Sequence, residues 1–135
     1  MRNEGTDLPY DDDSPFLRHV GVDMGLSDNG TGRVSLAVQP HHLQVAGQVH
    51  GGLIAVLADT AMFRAVRSLL RRGERTTTIE LKVNFLENTN SGLLTATAHV
   101  ISTAERMMVG EIQVTADDGR LIAQGQGTFL VFGGD

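Results

Sequence analysis

Cysteine is absent from this chain of 135 residues, which excludes disulfides, thiolate zinc sites and a cysteine nucleophile and fits a reducing compartment. Neither a Gly-x-Ser-x-Gly elbow nor a phosphate-binding glycine motif occurs in the sequence. No apolar run approaches the about 20 residues that a membrane-spanning helix needs. The formal net charge is −5, and no basic run is interleaved with aromatic residues. A nucleic acid is therefore not an expected partner.

The length is that of one domain large enough to bury its own core, and 41% of the residues are hydrophobic. Residues 1–15 include three consecutive aspartates and lack the basic and then apolar pattern of a signal peptide. We predict that residues 1–15 form a flexible acidic tail and that residues 16–135 form a single domain. We also expect the protein to be cytoplasmic.

The apolar periodicity predicts the element order β-β-α-β-β-β-β. Residues 76–86 alternate in a way that sets Thr77, Ile79 and Val83 on one face of a strand. The helix is predicted over His50–Arg72 and is apolar on almost every face up to Met62, as buried helices are. From Arg64 onward it is amphipathic, with a basic stripe expected in solvent. One buried helix and an antiparallel sheet make an α+β domain.

Gly51 and Gly52 open this predicted helix. The first turn of a helix has free N–H groups and a partial positive charge, and glycine lets a ligand approach those groups closely. Such a helix start can bind a carbonyl oxygen that becomes an oxyanion. A pair of glycines also permits tight packing of the helix entry, and from these two residues alone that simpler interpretation is favoured.

Asp59 lies in the interior of the predicted helix, where aspartate is a poor helix former. Met62, Phe63 and Val66 follow at offsets of three, four and seven, so they share its face. A carboxylate on an apolar face is costly unless it is paired or used in chemistry. The residues leave two interpretations equally open: a catalytic acid, or a structural aspartate that caps a backbone N–H or pairs with an arginine.

The combined pattern resembles a known family. Gly47, then His50-Gly51-Gly52, then Leu57 and Asp59 look like the motif of hotdog-fold thioesterases of the phenylacetate-degradation type, relatives of the 4-hydroxybenzoyl-CoA thioesterases. Residues 78–86 and 118–123 look like later segments of that family, and the resemblance runs from about Phe16 to the end. It implies a curved antiparallel sheet wrapped around one long central helix. It also implies homo-oligomers, dimers often paired into tetramers, with active sites between subunits.

The resemblance also implies roles for individual residues. Asp59 would act as general base or nucleophile, and the Gly51 N–H would polarise the thioester carbonyl. His50 would shape the helix start. Gln44 stands where the family often has asparagine and would orient the carbonyl or the water. Thr77 stands where relatives carry a serine or threonine that helps to place the water, and the alternation turns it toward the helix.

The implied reaction is hydrolysis of a small aryl- or short- to medium-chain acyl-CoA, with no metal and no redox cofactor. Gly52, Met62 and Phe63 are candidates for substrate binding, although the apolar pair also suits a plain core. Arg106 and the arginines of the helix end are equal candidates for the phosphates of coenzyme A. Two other functions remain open: an acyl-thioester hydratase or dehydratase, and a non-catalytic acyl-CoA binding module.

Overall fold

The computed structural model of the chain describes residues 14–134. Within these residues two α-helices, six β-strands and a 3-10 turn follow one another: α1 (Pro15–Val20), β1 (Asp23–Asp28), β2 (Thr31–Ala37), the turn Pro40–His42, α2 (Gly51–Arg67), β3 (Glu74–Phe85), β4 (Leu93–Ala104), β5 (Met107–Ala116) and β6 (Leu121–Gly133). Most of the predicted tail lies outside the described residues. Its last two residues are described: Ser14 caps α1 and Pro15 opens it.

The six strands form one antiparallel sheet in the order β1-β2-β4-β5-β6-β3. Helix α2 contacts every one of these strands. Because neighbouring strands lie about 4.8 Å apart and a helix is about 10 Å wide, six strands can all reach one helix only if the sheet curves around it. The predicted α+β architecture, with one long helix inside a curved antiparallel sheet, is confirmed.

The core lies between α2 and the concave face of the sheet. Helix and sheet approach each other closely at Gly32 on β2, where an added Cβ would lie 2.2 Å from the carbonyl oxygen of Ala61. A side chain at this position would push the helix away from the sheet. The close approach therefore depends on glycine and fixes the depth at which α2 lies in the domain. Among residues 14–134 no helix is long and apolar enough to cross a bilayer.

Helix α2 ends at Arg67, five residues before the predicted end at Arg72. Ser68 stops it, because the Ser68 hydroxyl donates to the carbonyl oxygen of Ala65 and accepts the backbone N–H of Gly30. The expected solvent stripe is also wrong at Arg64, whose side chain is only 6% exposed and donates to the carbonyl oxygen of Gly25 in β1. The apolar stem of an arginine allows this burial once its head reaches a backbone acceptor.

Strand β3 lies at one edge of the sheet and pairs only with β6 among the described strands. Its register shifts between Thr78 and Glu80, so Ile79 is an extra, bulged residue. The bulge reverses which side chains face the helix. Thr78 pairs with the buried Phe129 and donates its hydroxyl to Asp59 of the helix, whereas Thr77 pairs with the half-buried Leu130. The predicted alternation through the whole strand is therefore wrong before the bulge.

Candidate active site

The start of helix α2 is held by His50, its N-cap residue. The His50 Nδ1 atom accepts the backbone N–H of Gly52 at 2.9 Å, and its carbonyl oxygen accepts the N–H groups of Leu53 and Ile54. Capping thus satisfies three of the first four amide groups of the helix. The N–H of Gly51 donates no hydrogen bond within the described part of the chain. This donor, at the positive end of the helix dipole, is left for a ligand.

The chain enters the helix between two backbone anchors. The N–H of Val49 donates to the carbonyl oxygen of Thr89, and the N–H of His50 donates to the carbonyl oxygen of His42, each at 2.9 Å. The His42 side chain is buried. One ring nitrogen accepts the N–H of Gln39, and the other lies 2.7 Å from the carbonyl oxygen of Val20. Both nitrogens are occupied, which suits a structural anchor and not a metal ligand.

A cavity of about 150 Å³ opens beside the start of the helix. It brings together Gln44 and Gly51, as the resemblance implied. The Oε1 atom of the Gln44 side-chain amide accepts the N–H of Ala46 at 2.5 Å. The NH₂ group of the same amide therefore remains able to donate into the cavity. The full lining consists of Gln44, Val49, Gly51, Ile54, Phe85, Glu87, Asn88, Thr89 and Ile122.

Asp59 lies two turns further along α2, on a partly buried face. Its Oδ1 atom accepts the hydroxyl of Thr78 at 2.8 Å. This contact differs from both partners expected of a structural aspartate, a backbone N–H or an arginine. Burial raises the pKa of the Asp59 carboxyl above its usual value, and the Thr78 hydrogen bond offsets part of that rise. A carboxylate with a raised pKa and a free lone pair suits a general base.

Thr78, and not Thr77, is thus the hydroxyl that faces Asp59. The alternation of β3 suggested Thr77, and the bulge at Ile79 shifts the inward positions by one residue. Sequence periodicity gives no signal for such a bulge. The run Thr76-Thr77-Thr78 shows only that some hydroxyl would lie at this height of the sheet.

The remaining candidates are not gathered at this site. Met62 is fully buried, and an added Cβ on Gly110 would lie 2.5 Å from its Sδ atom, so it is core. Phe63 is half-buried and packs against that core. The N–H of Gly52 is taken by His50. Arg106 lies in the β4–β5 turn, where its guanidinium donates to the carbonyl oxygen of Val131, at the end of the sheet away from Gly51.

The two candidate reactive groups are separated along one helix. Asp59 follows Gly51 by eight positions, which corresponds to about 12 Å along the helix axis at 1.5 Å per residue. A carbonyl oxygen bound to the Gly51 N–H lies within about 3 Å of it. The Asp59 carboxylate of the same chain is therefore too far away to act on that carbonyl.

A donor for an oxyanion and a carboxylate of raised pKa, both on a helix inside a curved sheet, are features of a thioester-hydrolysing enzyme of the hotdog fold. Residues 46–123 match the family model of the thioesterase superfamily, and the chain belongs to this family. Its class is accordingly that of the thioester hydrolases.

Individual relatives match this chain over most of their length. A protein of Halobacterium salinarum is 35% identical over 93% of this chain and 90% of its own. The 1,4-dihydroxy-2-naphthoyl-CoA hydrolase of Listeria monocytogenes is 29% identical over 83% of this chain and 91% of its own. The solved structure of the Escherichia coli protein from the phenylacetic acid degradation operon superposes with a TM-score of 0.82. It is 27% identical and covers 90% of this chain and 86% of its own.

Proposed function

We propose that this protein hydrolyses the thioester of a small aryl- or short- to medium-chain acyl-CoA to the free acid and coenzyme A. The observation that carries the proposal is the unpaired N–H of Gly51, a residue that opens a capped helix and lines a cavity of about 150 Å³. Such a donor stabilises the negative charge that forms on the thioester oxygen during attack. A cavity of this size suits a compact acyl group better than a long chain.

Asp59 supplies the other half of the chemistry. As general base it would remove a proton from a water molecule, whose oxygen attacks the thioester carbon. Collapse of the tetrahedral intermediate then breaks the carbon–sulfur bond, and the thiolate of coenzyme A takes up a proton. As nucleophile Asp59 would instead form a mixed anhydride, which water hydrolyses in a second step. In both routes the Thr78 hydroxyl holds the carboxylate in place.

Because Gly51 and Asp59 of one chain are about 12 Å apart, we infer that each active site combines Gly51 of one copy with Asp59 of a second. Both half-sites lie along β3. Asp59 bonds to Thr78, and the Phe85 ring lies 3.6 Å from where a Cβ on Gly51 would stand. A two-fold axis near the middle of β3 would pair two such strands antiparallel and bring Thr78 of one copy near Phe85 of the other.

The two edges of the sheet support β3 as the pairing strand. Strand β1 has six residues, an irregular register and an aspartate at each end, all features of a protected edge. Strand β3 has twelve residues and exposes Ile79 and Phe85 by 51% and 57%. We therefore expect a dimer or a larger oligomer. Light scattering at micromolar concentration tests this, and a stable, active monomer would contradict the shared site.

The activity itself is tested by adding a panel of aryl- and alkyl-CoA thioesters together with a thiol reagent. The proposal predicts release of free thiol, fastest with aryl or short acyl groups; the naphthoyl-CoA substrate in the name of the Listeria relative lies in this range. Absorbance change from a new double bond without thiol release would indicate a hydratase or dehydratase. Binding without turnover would indicate a non-catalytic module.

A further inference from the structure

Arg120 links two segments of the domain through one guanidinium group. It follows the β5–β6 turn, where its Nε atom donates to the Asp118 carboxylate at 2.9 Å. Its Nη1 atom donates to the carbonyl oxygen of Asn88 at 2.9 Å and to the Glu87 carboxylate at 3.3 Å, and its Nη2 atom donates to the Thr89 hydroxyl at 3.4 Å. One side of the arginine is therefore fixed to its own turn and the other to residues 87–89.

Residues 87–89 form one wall of the cavity beside Gly51. The carbonyl oxygen of Thr89 also accepts the N–H of Val49, the residue before the helix cap. A continuous set of hydrogen bonds thus runs from Arg120 through this wall to the entry of α2. Movement of the wall would move the backbone that presents the Gly51 N–H.

Glu87, which carries a carboxylate, belongs to the same wall. Negative charge near the Gly51 N–H opposes the negative charge that develops on the thioester oxygen, and it repels the anionic coenzyme A thioester before reaction. Arg120 places a compensating positive charge 3.3 Å from Glu87. Both side chains are substantially exposed, so this pair adds little to the stability of the fold. Its effect is expected at the cavity.

We propose that Arg120 is a positioning residue for the reaction at Gly51: it fixes the wall of residues 87–89 and neutralises the Glu87 carboxylate. The inference rests on the proposed function, because it assigns a role toward the oxyanion at that site. The Asp118 contact gives a matched control, since Asp118 holds the same arginine but does not line the cavity.

Three variants test the charge effect on acyl-CoA hydrolysis. Arg120→Gln should lower kcat/KM about tenfold, less than the about 10²-fold that a 1 Å misplacement of reacting groups can cost. Asp118→Asn should stay near the wild type. Adding Glu87→Gln to Arg120→Gln should restore part of the loss, because the uncompensated charge is then gone. Equal kcat/KM in the wild type and in Arg120→Gln would overturn the proposal, as would a double variant no better than Arg120→Gln.

A second measurement does not depend on turnover. The Val49 amide, which donates to Thr89, should exchange its hydrogen about tenfold faster in Arg120→Gln and at the wild-type rate in Asp118→Asn. If the wild type hydrolyses no acyl-CoA, the proposed function fails while this result still tests the positioning role. Unchanged Val49 exchange contradicts that role. Should Arg120→Gln fail to fold, Arg120→Lys, which keeps the charge but loses the planar fork, provides both measurements.

Discussion

Helix α2 has two functional regions that differ in almost every physical respect. At its start, His50 to Gly52 are exposed or half-buried, and hydrogen bonds to Thr89 and His42 hold the entering chain in place. Around Asp59 the helix is packed against the sheet, and the charged group contacts a single hydroxyl. At the helix start the Gly51 N–H has no hydrogen-bond partner among the described residues and can bind a substrate oxygen. In the middle of the helix the Asp59 carboxylate is poorly solvated, which raises its pKa.

One helix can therefore carry both catalytic groups, the oxyanion donor and the general base, although the two groups of one chain do not act on the same substrate. An oxyanion needs a rigid, outward-pointing donor, which a helix terminus supplies. A general base needs a raised pKa, which burial on the helix flank supplies. Because these environments occur at different heights of one helix, the proposed site takes its donor from one copy and its carboxylate from a second.

The largest effect is expected from Asp59→Asn, which removes the carboxylate but keeps an oxygen that can accept from Thr78. Turnover of acyl-CoA should fall by about 10²-fold or more, the usual range for loss of an acid–base group. The melting temperature should hold or rise, because a partly buried carboxylate is costly to desolvate. Binding of a non-hydrolysable substrate analogue should change far less. Full turnover in a destabilised Asp59→Asn protein would identify a structural aspartate instead.

Removing the Gly51 N–H at the start of α2 should lower turnover about as much as Asp59→Asn does. Gly51→Pro deletes the free N–H, and the first position of a helix accepts proline well; His50, with φ −62° and ψ 133°, already has the extended backbone that precedes proline. Turnover should fall about 10²- to 10³-fold, as when an oxyanion donor is lost. Gly51→Ala is the control, because it keeps the N–H and its Cβ meets only Phe85 at 3.6 Å. Equal activities of the two variants would contradict the donor role.

A smaller effect is expected from Thr78→Val. The Thr78 hydroxyl holds Asp59 and lowers its pKa, so its loss should reduce kcat about tenfold and move the acid limb of the pH–rate profile to higher pH. Thr77→Val provides a matched control on the adjacent, outward-facing position. If kcat falls in Thr77→Val and not in Thr78→Val, then Thr77 and not Thr78 faces Asp59, and the bulge at Ile79 is absent in solution.

The smallest effect concerns stability against pH. The Asp59 carboxyl has a pKa raised above its ordinary value of 3.8, so between the two values the folded protein binds more protons than the unfolded chain. Its free energy of unfolding therefore falls as pH rises through that window. Urea unfolding of the wild type and of Asp59→Asn should show the variant gaining relative stability from about pH 4 upward and then a constant difference. A difference that is independent of pH would show that Asp59 has no raised pKa.

The sequence predicted the candidate reactive group of each region but not the contacts that surround it. The glycine pair after His50 and the lone acid on an apolar stripe are local patterns, and both candidate groups were found where the structure has them. Thr78 was missed because a bulge changes alternation without changing composition. The buried Arg64 and the early helix end at Ser68 were missed because partners distant in sequence, Gly25 and Gly30, decide them. Arg120 likewise acts through contacts with residues 87–89 that no local pattern reveals.

Each active site is proposed to combine Gly51 of one copy with Asp59 of another, and mixing two inactive variants tests this arrangement. Asp59→Asn and Gly51→Pro proteins are unfolded together, refolded in equal amounts and assayed for acyl-CoA hydrolysis. In a two-fold dimer, half of the products are mixed pairs with one intact site each, so activity should recover to about one quarter of the wild-type value. Activity that stays at the level of the separate variants, despite proven exchange of subunits, would contradict a site shared between copies.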